Sequence, residues 1–338
     1  MVRVLVTGGA GFIGSNFVRH AVDAHPDWQV TTLDKLTYAG RLENLRAVEP
    51  HPRHRFVKGD IADARVAAPL VAESDIVVHF AAETHVDRSI MAAGDFITTD
   101  VFGTFVLLEA ARQAQSLRRF IQISTDEVYG SVTDGLSRET DELRPRNPYS
   151  ASKAAADRLA YSFWATYDVP VVITRASNNY GPNQFPEKII PLFITNAIDN
   201  LSVPLYGDGL NVRDWLHVSD HCRALDLLIE AGEPGEGYNV GGGNEIRNVD
   251  LTHQILALLD QPTSLIRAVP DRLGHDRRYA LDTMKLRGLG WRPEVPFDEG
   301  LCDTVEWYRR NEWWWRPIKE VDPAFRAYYK AQYDDRRG

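Results

Sequence analysis

Two carboxylates stand side by side, Asp126 and Glu127, in the stretch "STDEVYG" at residues 124–130, with Thr125 before them and Tyr129 after. A proton donor and a proton acceptor on adjacent residues can serve neighbouring atoms of one substrate, provided the environment separates their pKa values. In a regular strand, consecutive side chains point to opposite faces, so the two acids reach one ligand only where the strand has ended and the backbone turns. The apolar run "RRFIQI" just before them predicts a buried strand ending there. Taken alone, such a pair can equally cap a turn.

A second pair lies in "YSASK", where Tyr149 and Lys153 are four residues apart and share one face of a predicted helix. A free tyrosine titrates near ~10, so a phenolate base working near neutrality needs about 4 kcal/mol of help. A neighbouring ammonium supplies help of that sign. On a helix without further context, a Tyr–Lys pair is ordinary surface decoration.

The context comes from the N-terminal end. "TGGAGFIGS" sets Gly8, Gly11 and Gly14 directly after an apolar strand and at the opening of a helix. The first glycine permits the tight turn, the second lets backbone approach a pyrophosphate at the helix N-terminus, and the third allows close helix–strand packing. Asp34 closes the second strand about 20 residues later, where a carboxylate hydrogen-bonds a ribose 2′-hydroxyl and repels a 2′-phosphate. NAD rather than NADP is the predicted cofactor. "KGDI" (Asp60, Ile61) and "FAAET" (Phe80 to Thr84) end the next two strands at the same sheet edge, as walls for the adenine and the nicotinamide half. After such a fingerprint, Tyr149 reads as the base of a hydride transfer, with Lys153 and the positive nicotinamide favouring its phenolate.

These residues need a sheet to bring them together. Short β-branched runs alternate with helical patterns through the first half, which predicts parallel βαβ units and a doubly wound, Rossmann-type α/β fold. After "TRASNNYGPNQFPEK" the connections become rich in Pro, Gly and Asn. "VRDWLHVSDHCRALDLLIEAG" reads as a return to the first unit, and the remainder as a smaller, discontinuous C-terminal substrate domain. The expected division is 1–175 plus 213–240 for the NAD domain and 176–212 plus 241–330 for the substrate domain. "AGDFITTDVFGTFVLLEAARQAQ" reads as one long helical stretch, and the aromatic "NEWWWRP" as a segment packed against the body.

Among its 338 residues the chain has a formal net charge of −9, which argues against a nucleic-acid surface. Cys222 and Cys302 form no CxxC pattern and are expected to be reduced thiols. No apolar stretch is long enough for a bilayer and no signal-peptide pattern precedes "VRVLVTGG". A cytoplasmic globule without membrane, nucleic-acid or metal partners is the expectation.

TGxxGxxG with YxxxK resembles the extended short-chain dehydrogenase/reductase superfamily. More narrowly, "LDKLTYAG", "AAETHVDRS", "STDEVYG", "YSASK", "SNNYGPNQFPEK", "YGDGLNVRDWLHVSDH" and "DRLGHDRRYA" resemble the dTDP-glucose 4,6-dehydratase family. The resemblance implies oxidation of the hexose at C4, elimination of water across C5 and C6, and return of the hydride to C6, as a step of deoxysugar biosynthesis. It implies that Tyr149 takes the 4-hydroxyl proton, Glu127 the C5 proton, and that Asp126 protonates the departing 6-hydroxyl, with Thr125 bonded to the 4-oxygen. It adds Phe12, Ile13, Lys35, Leu36, Thr37, Ala81, Ala82, Glu83, Thr99 and Asn179 to the cofactor's contacts. For dTDP-glucose it implies Thr84, Asn178, Lys188, Ile189, Leu205, Tyr206, Arg213, Asn248, Arg272 and His275. Of these, Lys188, Arg213 and Arg272 have the chemistry a sugar diphosphate needs.

The resemblance also implies a homodimer, formed by the helices at 95–114 and 149–167 as a four-helix bundle. Two positions depart from the family pattern. Asp100 stands in "TDVFGT" where an asparagine is usual, which changes local hydration beside the active site. Asn183 in "YGPNQF" replaces a common aromatic and is expected to alter the mouth of the sugar pocket. Another NDP-hexose as substrate, a 4-epimerase or decarboxylase, and an inactive NAD-dependent scaffold are the competing readings. An epimerase needs no acids at C5 and C6, and the decarboxylase-like pattern lacks the aspartate before the glutamate.

Overall fold

The computed structural model describes residues 1–334. Six strands alternate with helices from the start of the chain: β1 (Val2–Thr7), β2 (Trp28–Asp34), β3 (His54–Lys58), β4 (Ile76–His79), β5 (Arg119–Thr125) and β6 (Val171–Ala176). Then come β7 (Asn178–Tyr180), β8 (Val203–Tyr206), β9 (Val212–His217), β10 (Gly237–Val240), β11 (Glu245–Arg247) and β12 (Ile266–Val269). A seven-stranded sheet has the order β10-β6-β5-β4-β1-β2-β3, and all its pairings are parallel. The order reverses between β1 and β4, which opens a crevice at the carboxyl edge of those strands.

Both faces of this sheet are covered, so its strands are nearly continuous apolar runs. Val4 and Val6 face a core shared with α1 (Phe12–Ala24), to which Phe17, Val18 and Leu225 contribute. Leu5 points the other way, to a core with Val71 of α2 (Ala64–Ala72) and with residues of the helices at 104–113 and 148–167. The stretch expected as one long helix is broken into α3 (Val86–Met91), α4 (Ala93–Phe96), a π-helical segment at Ile97–Gly103 and α5 (Thr104–Gln113). β-Branched Ile97, Thr98, Thr99 and Val101 weaken a regular helix there. Close approach fixes the break, since a Cβ on Gly103 would lie 2.6 Å from Ile61. The long helix α6 (Pro148–Tyr167) starts with a capping box between Asn147 and Ser150 and with Pro148 in its first turn.

The second half builds another core. Helices α7 (Ile189–Ile198), α8 (Val218–Ala231), α9 (Asn248–Leu258), α10 (Met284–Gly288), α11 (Phe297–Arg310), α12 (Glu312–Glu320) and α13 (Pro323–Tyr329) follow in turn. Phe193 of α7, Ile255 of α9 and Tyr308 of α11 meet Trp215, Trp314 and Trp315 in it. Of the "NEWWWRP" aromatics, Trp314 also reaches the first half, donating to Asn44 at 2.8 Å. Within the segment expected to return to the first unit, β9 lies outside the large sheet and pairs with β7 and β11 in a separate three-stranded sheet. β7 leaves the large sheet one residue after β6, and β9 follows it; the return starts at α8, which packs Leu225 and Leu228 on the first core. Among the described residues no helix is long and apolar enough to cross a membrane.

Candidate active site

A cavity of about 390 Å³ runs along the crevice at the carboxyl edge of the large sheet and out between the two cores. Gly8, Gly11 and Gly14 line one end. Gly8 has φ +70, and a Cβ there would sit 2.5 Å from the backbone nitrogen of Ala81, so both conformation and space require glycine. α1 opens at Gly11 with no side-chain cap, which leaves the N–H groups of its first turn for a ligand anion. Asp34 is buried and accepts the N–H of Ala10 at 2.9 Å and of Leu36 at 2.8 Å. Burial pushes its carboxyl pKa up, and the two backbone donors oppose the rise. Phe12, Ile13, Lys35, Thr37, Asp60, Ile61, Phe80, Ala81, Ala82, Glu83, Thr99 and Asn179 also line the cavity. Leu36 does not: at φ +58 it turns its side chain into the first core.

At the other end β5 stops at Thr125, and a 3₁₀ turn at Asp126–Tyr129 carries both acids away from strand geometry. The Thr125 hydroxyl accepts the N–H of Glu127 at 3.3 Å and donates to Asp126 Oδ1 at 3.0 Å. Asp126 Oδ2 is buried with no partner among the described residues. Burial first, and then the adjacent Glu127, push the Asp126 carboxyl well above the usual range. Glu127 Oε2 lies 3.5 Å from the hydroxyl of Tyr279, which also donates to Asp276 at 2.6 Å.

Tyr149 sits in the first turn of α6, and Lys153 one turn later. The Lys153 ammonium donates to the carbonyl of Ile123 at 2.6 Å, beneath the acid turn. Burial lowers its pKa, and Asp100 and Asp157 oppose that. Burial, followed by Glu127, Asp100 and Asp126, pushes the Tyr149 phenol well above 10, and a hydrogen bond with Thr125 opposes the rise. The positive charge of a bound nicotinamide would act in the direction of that hydrogen bond.

Asp100 lies in the π-helical segment with both oxygens bonded, to the N–H of Glu83 at 2.7 Å and to the hydroxyl of Ser152 at 2.6 Å. Asn183, by contrast, does not line the cavity mouth as expected. It takes φ +68, which asparagine tolerates, and bonds Arg19 at 3.1 Å and Asn44 at 3.3 Å.

Thr84, Asn178, Lys188, Ile189, Leu205, Tyr206, Arg213, Asn248, Arg272 and His275 all line the same cavity. Arg213 is 5% exposed, lies 4.4 Å over the Tyr279 ring and donates to the carbonyl of Asp276 at 2.9 Å. Asn178 Oδ1, Asn248 Oδ1 and Arg272 Nε are buried without partners among the described residues. Buried polar atoms left open in this way await a polar ligand. The sequence reading missed His85, Asp87, Glu187 and Tyr333, which also line the cavity. The first three stood within quoted motifs; Tyr333 lies in a tail that carried no signal. Burial first, and then Lys188, Arg272 and Arg88, hold the His85 imidazole neutral. Asp87 accepts from both Tyr206 and Tyr328 at 3.3 Å, and Glu187 pairs with Arg88 at 2.9 Å.

Residues 5–304 match the model of a family described as GDP-mannose 4,6 dehydratase. The dTDP-glucose 4,6-dehydratase of Streptomyces niveus is 52% identical over 328 residues, covering 96% of this chain and 97% of its own. The chain belongs to the dTDP-glucose 4,6-dehydratase family. Its fold follows that of solved members. DesIV, the dTDP-glucose 4,6-dehydratase of Streptomyces venezuelae crystallised with NAD, superposes with a TM-score of 0.92 at 52% identity over 94% of this chain and all of that one. UDP-glucose 4-epimerase of Thermus thermophilus, also in complex with NAD, superposes with a TM-score of 0.84 at 32% identity over 91% of this chain and 99% of its own. The dehydratase family thus shares this architecture with epimerases, and the chemistry must be argued from the side chains.

Proposed function

We propose that the protein dehydrates dTDP-glucose to dTDP-4-keto-6-deoxyglucose, using a tightly held NAD. The observation that carries this reading is one cavity holding the Tyr149–Lys153 pair, two adjacent acids on a turn, and a cation-lined far end. A bound NAD supplies the oxidised nicotinamide that takes hydride from C4 and returns it to C6. The cofactor fits the glycine cradle and the uncapped first turn of α1, and Asp34 is the carboxylate for its ribose.

Tyr149, as the phenolate that Lys153 and the positive charge of a bound nicotinamide would favour, accepts the proton of the 4-hydroxyl, with Thr125 bonded to the same oxygen. A ketone at C4 acidifies the C5 hydrogen, which Glu127 removes. Asp126 donates to the departing 6-hydroxyl; its raised pKa keeps that proton in place before the step. Arg213, Lys188 and Arg272 bind the diphosphate. A 4-epimerase has no use for a protonated aspartate beside a second carboxylate, which places that reading second.

On this reading residues 1–175 with 213–240, apart from β9, serve the cofactor, and 176–212 with β9 and 241–330 serve the sugar nucleotide. The protein acts in the cytoplasm, in deoxysugar biosynthesis. It works as a homodimer through the π-helical segment, α5 and α6, where Phe102, Phe105, Tyr161 and Tyr167 remain exposed. The test is incubation with dTDP-glucose in deuterated water, with no cofactor added. A 4-keto-6-deoxy product deuterated at C5, with no net release of reduced cofactor, is expected. Unchanged glucose or the galactose epimer overturns the proposal.

A further inference from the structure

Behind the acid turn lies a buried cluster that the proposed chemistry does not use. Arg175, in β6, is 2% exposed. Its guanidinium donates through Nε to Asp157 Oδ2 at 2.8 Å and through Nη2 to Asp157 Oδ1 at 3.1 Å. Through Nη1 it donates to the Tyr129 hydroxyl at 2.7 Å and to the Glu139 carbonyl at 3.1 Å. The Tyr129 hydroxyl in turn donates to Asn239 Oδ1 at 2.8 Å. Asn239 is held by its own donations to the carbonyls of Ser137 and Asp282.

The places of these residues matter more than their number. Tyr129 closes the 3₁₀ turn that starts with Asp126 and Glu127. Asp157 is on α6, one turn beyond Lys153 and two beyond Tyr149. Arg175 is followed directly by Ala176, Ser177, Asn178 and Asn179, all on the cavity wall. One planar fork is therefore bonded to the turn carrying the two acids and to the helix carrying the Tyr–Lys pair. Stability is a weak reason for such a cluster, because desolvation offsets much of what a buried ion pair contributes. Geometry is a better one, since a bidentate guanidinium fixes both distance and angle.

We propose that Arg175, Asp157 and Tyr129 form a positioning strut, which keeps the acid turn in register with the Tyr149–Lys153 helix so that oxidation at C4 and elimination across C5 and C6 act on one sugar in one pose. None of the three is a catalytic residue in this account. Asp157 and Tyr129 act only through the elements they tie together. The inference rests on the dehydratase reading, and its distinctive consequence is a split between the two half-reactions.

The test variant is Tyr129→Phe, which removes one hydroxyl and keeps the ring 5.1 Å from the guanidinium. Three readouts are taken: single-turnover reduction of bound cofactor, deuterium uptake at C5, and KM. Reduction within about twofold of the parent, elimination slowed by about tenfold or more, and KM within about twofold are expected, because small displacements of reacting groups cost that much. Arg175→Lys, which keeps the charge and loses the fork, should split the steps in the same direction. A Tyr129→Phe variant that slows both steps equally, or neither, overturns the strut. A lower Tm with an unchanged ratio of the steps does the same. A parent protein that yields no 4-keto-6-deoxy sugar refutes the dehydratase reading and the strut with it; a parent that turns over while the ratio stays fixed refutes the strut alone.

Discussion

Asp100→Asn gives the sharpest energetic prediction. Asp100 is 1% exposed, and burial pushes its carboxyl from 3.8 up to about 6, against the opposing effects of Lys153, the Ser152 hydroxyl and the Glu83 N–H. The folded state therefore holds this proton more tightly than the unfolded chain. The contribution to stability is complete below the unfolded pKa and is lost as pH rises through the folded one. By about pH 8 the ionised group costs about 3 kcal/mol, against roughly half of that at about pH 5. That figure already includes the attraction of Lys153. Asparagine keeps the acceptor for Glu83. Its amide can donate to Ser152, whose hydroxyl retains the Tyr149 carbonyl at 2.8 Å as an acceptor. The variant should thus be the more stable protein, with an advantage over the parent that grows by about 1–2 kcal/mol between about pH 5 and pH 8. Urea-unfolding midpoints of both proteins across that range measure it. A constant difference, or a variant less stable at the alkaline end, refutes the reasoning. Asp100 also helps to raise the Tyr149 phenol, so the rising limb of C4 oxidation against pH should move to lower pH in the same variant.

Removing either acid should separate the later steps. Asp126→Asn should keep its cofactor and exchange the C5 hydrogen while losing water elimination by about 10²-fold or more, and Glu127→Gln should block the exchange itself; NMR in deuterated water reads both. Gly8→Ala combines φ +70 with a Cβ 2.5 Å from Ala81 backbone. Strain of about 1–3 kcal/mol should cut the NAD carried through purification by about tenfold or more, which absorbance of the released cofactor checks. Arg213→Lys keeps the charge but not the fork, and should raise KM by about tenfold with little change in the rate of cofactor reduction.

What the sequence made legible was local. "TGGAGFIGS" carries its own turn, helix start and spacing, and "STDEVYG" places Thr125 where it caps the turn that follows. What it hid was set by partners distant along the chain. Whether β9 joins the large sheet depends on β7 and β11, and a six-residue alternating run reads alike in either sheet. In the π-helical segment Gly103 packs where a Cβ would meet Ile61, some 40 residues earlier. Leu36 and Asn183 sit in left-handed turns whose side chains leave the cavity, and a motif match cannot show that. Burial first, and then Glu127, Asp100 and Asp126 from two other elements, push the Tyr149 phenol up, so a Tyr–Lys spacing predicts the pair and not its charge.

The adjacency of the two acids bears on that same charge. With Asp126 protonated and Glu127 ionised, the pair carries one negative charge. Donation by Asp126 alone would put two anions on neighbouring residues, in a cavity where burial and Glu127 already oppose ionisation of Asp126. Removal of the C5 proton by Glu127 alone would leave the pair neutral and put the negative charge on the enolate of C4 and C5, which expels the 6-hydroxyl as soon as Asp126 protonates it. If the two transfers occur together, the pair ends with the same single charge on the other carboxyl, and the field at Tyr149 barely changes. Adjacent acids on one tight turn thus favour a coupled elimination in the parent, and a variant without the Asp126 proton stops after removal of the C5 hydrogen. The consequence is measurable. In the parent protein, substrate labelled with deuterium at C5 and substrate labelled with oxygen-18 at C6 should both show kinetic isotope effects on the same step. An oxygen effect that vanishes while the deuterium effect stays full would mean that Glu127 acts first and that the pair does pass through its neutral state.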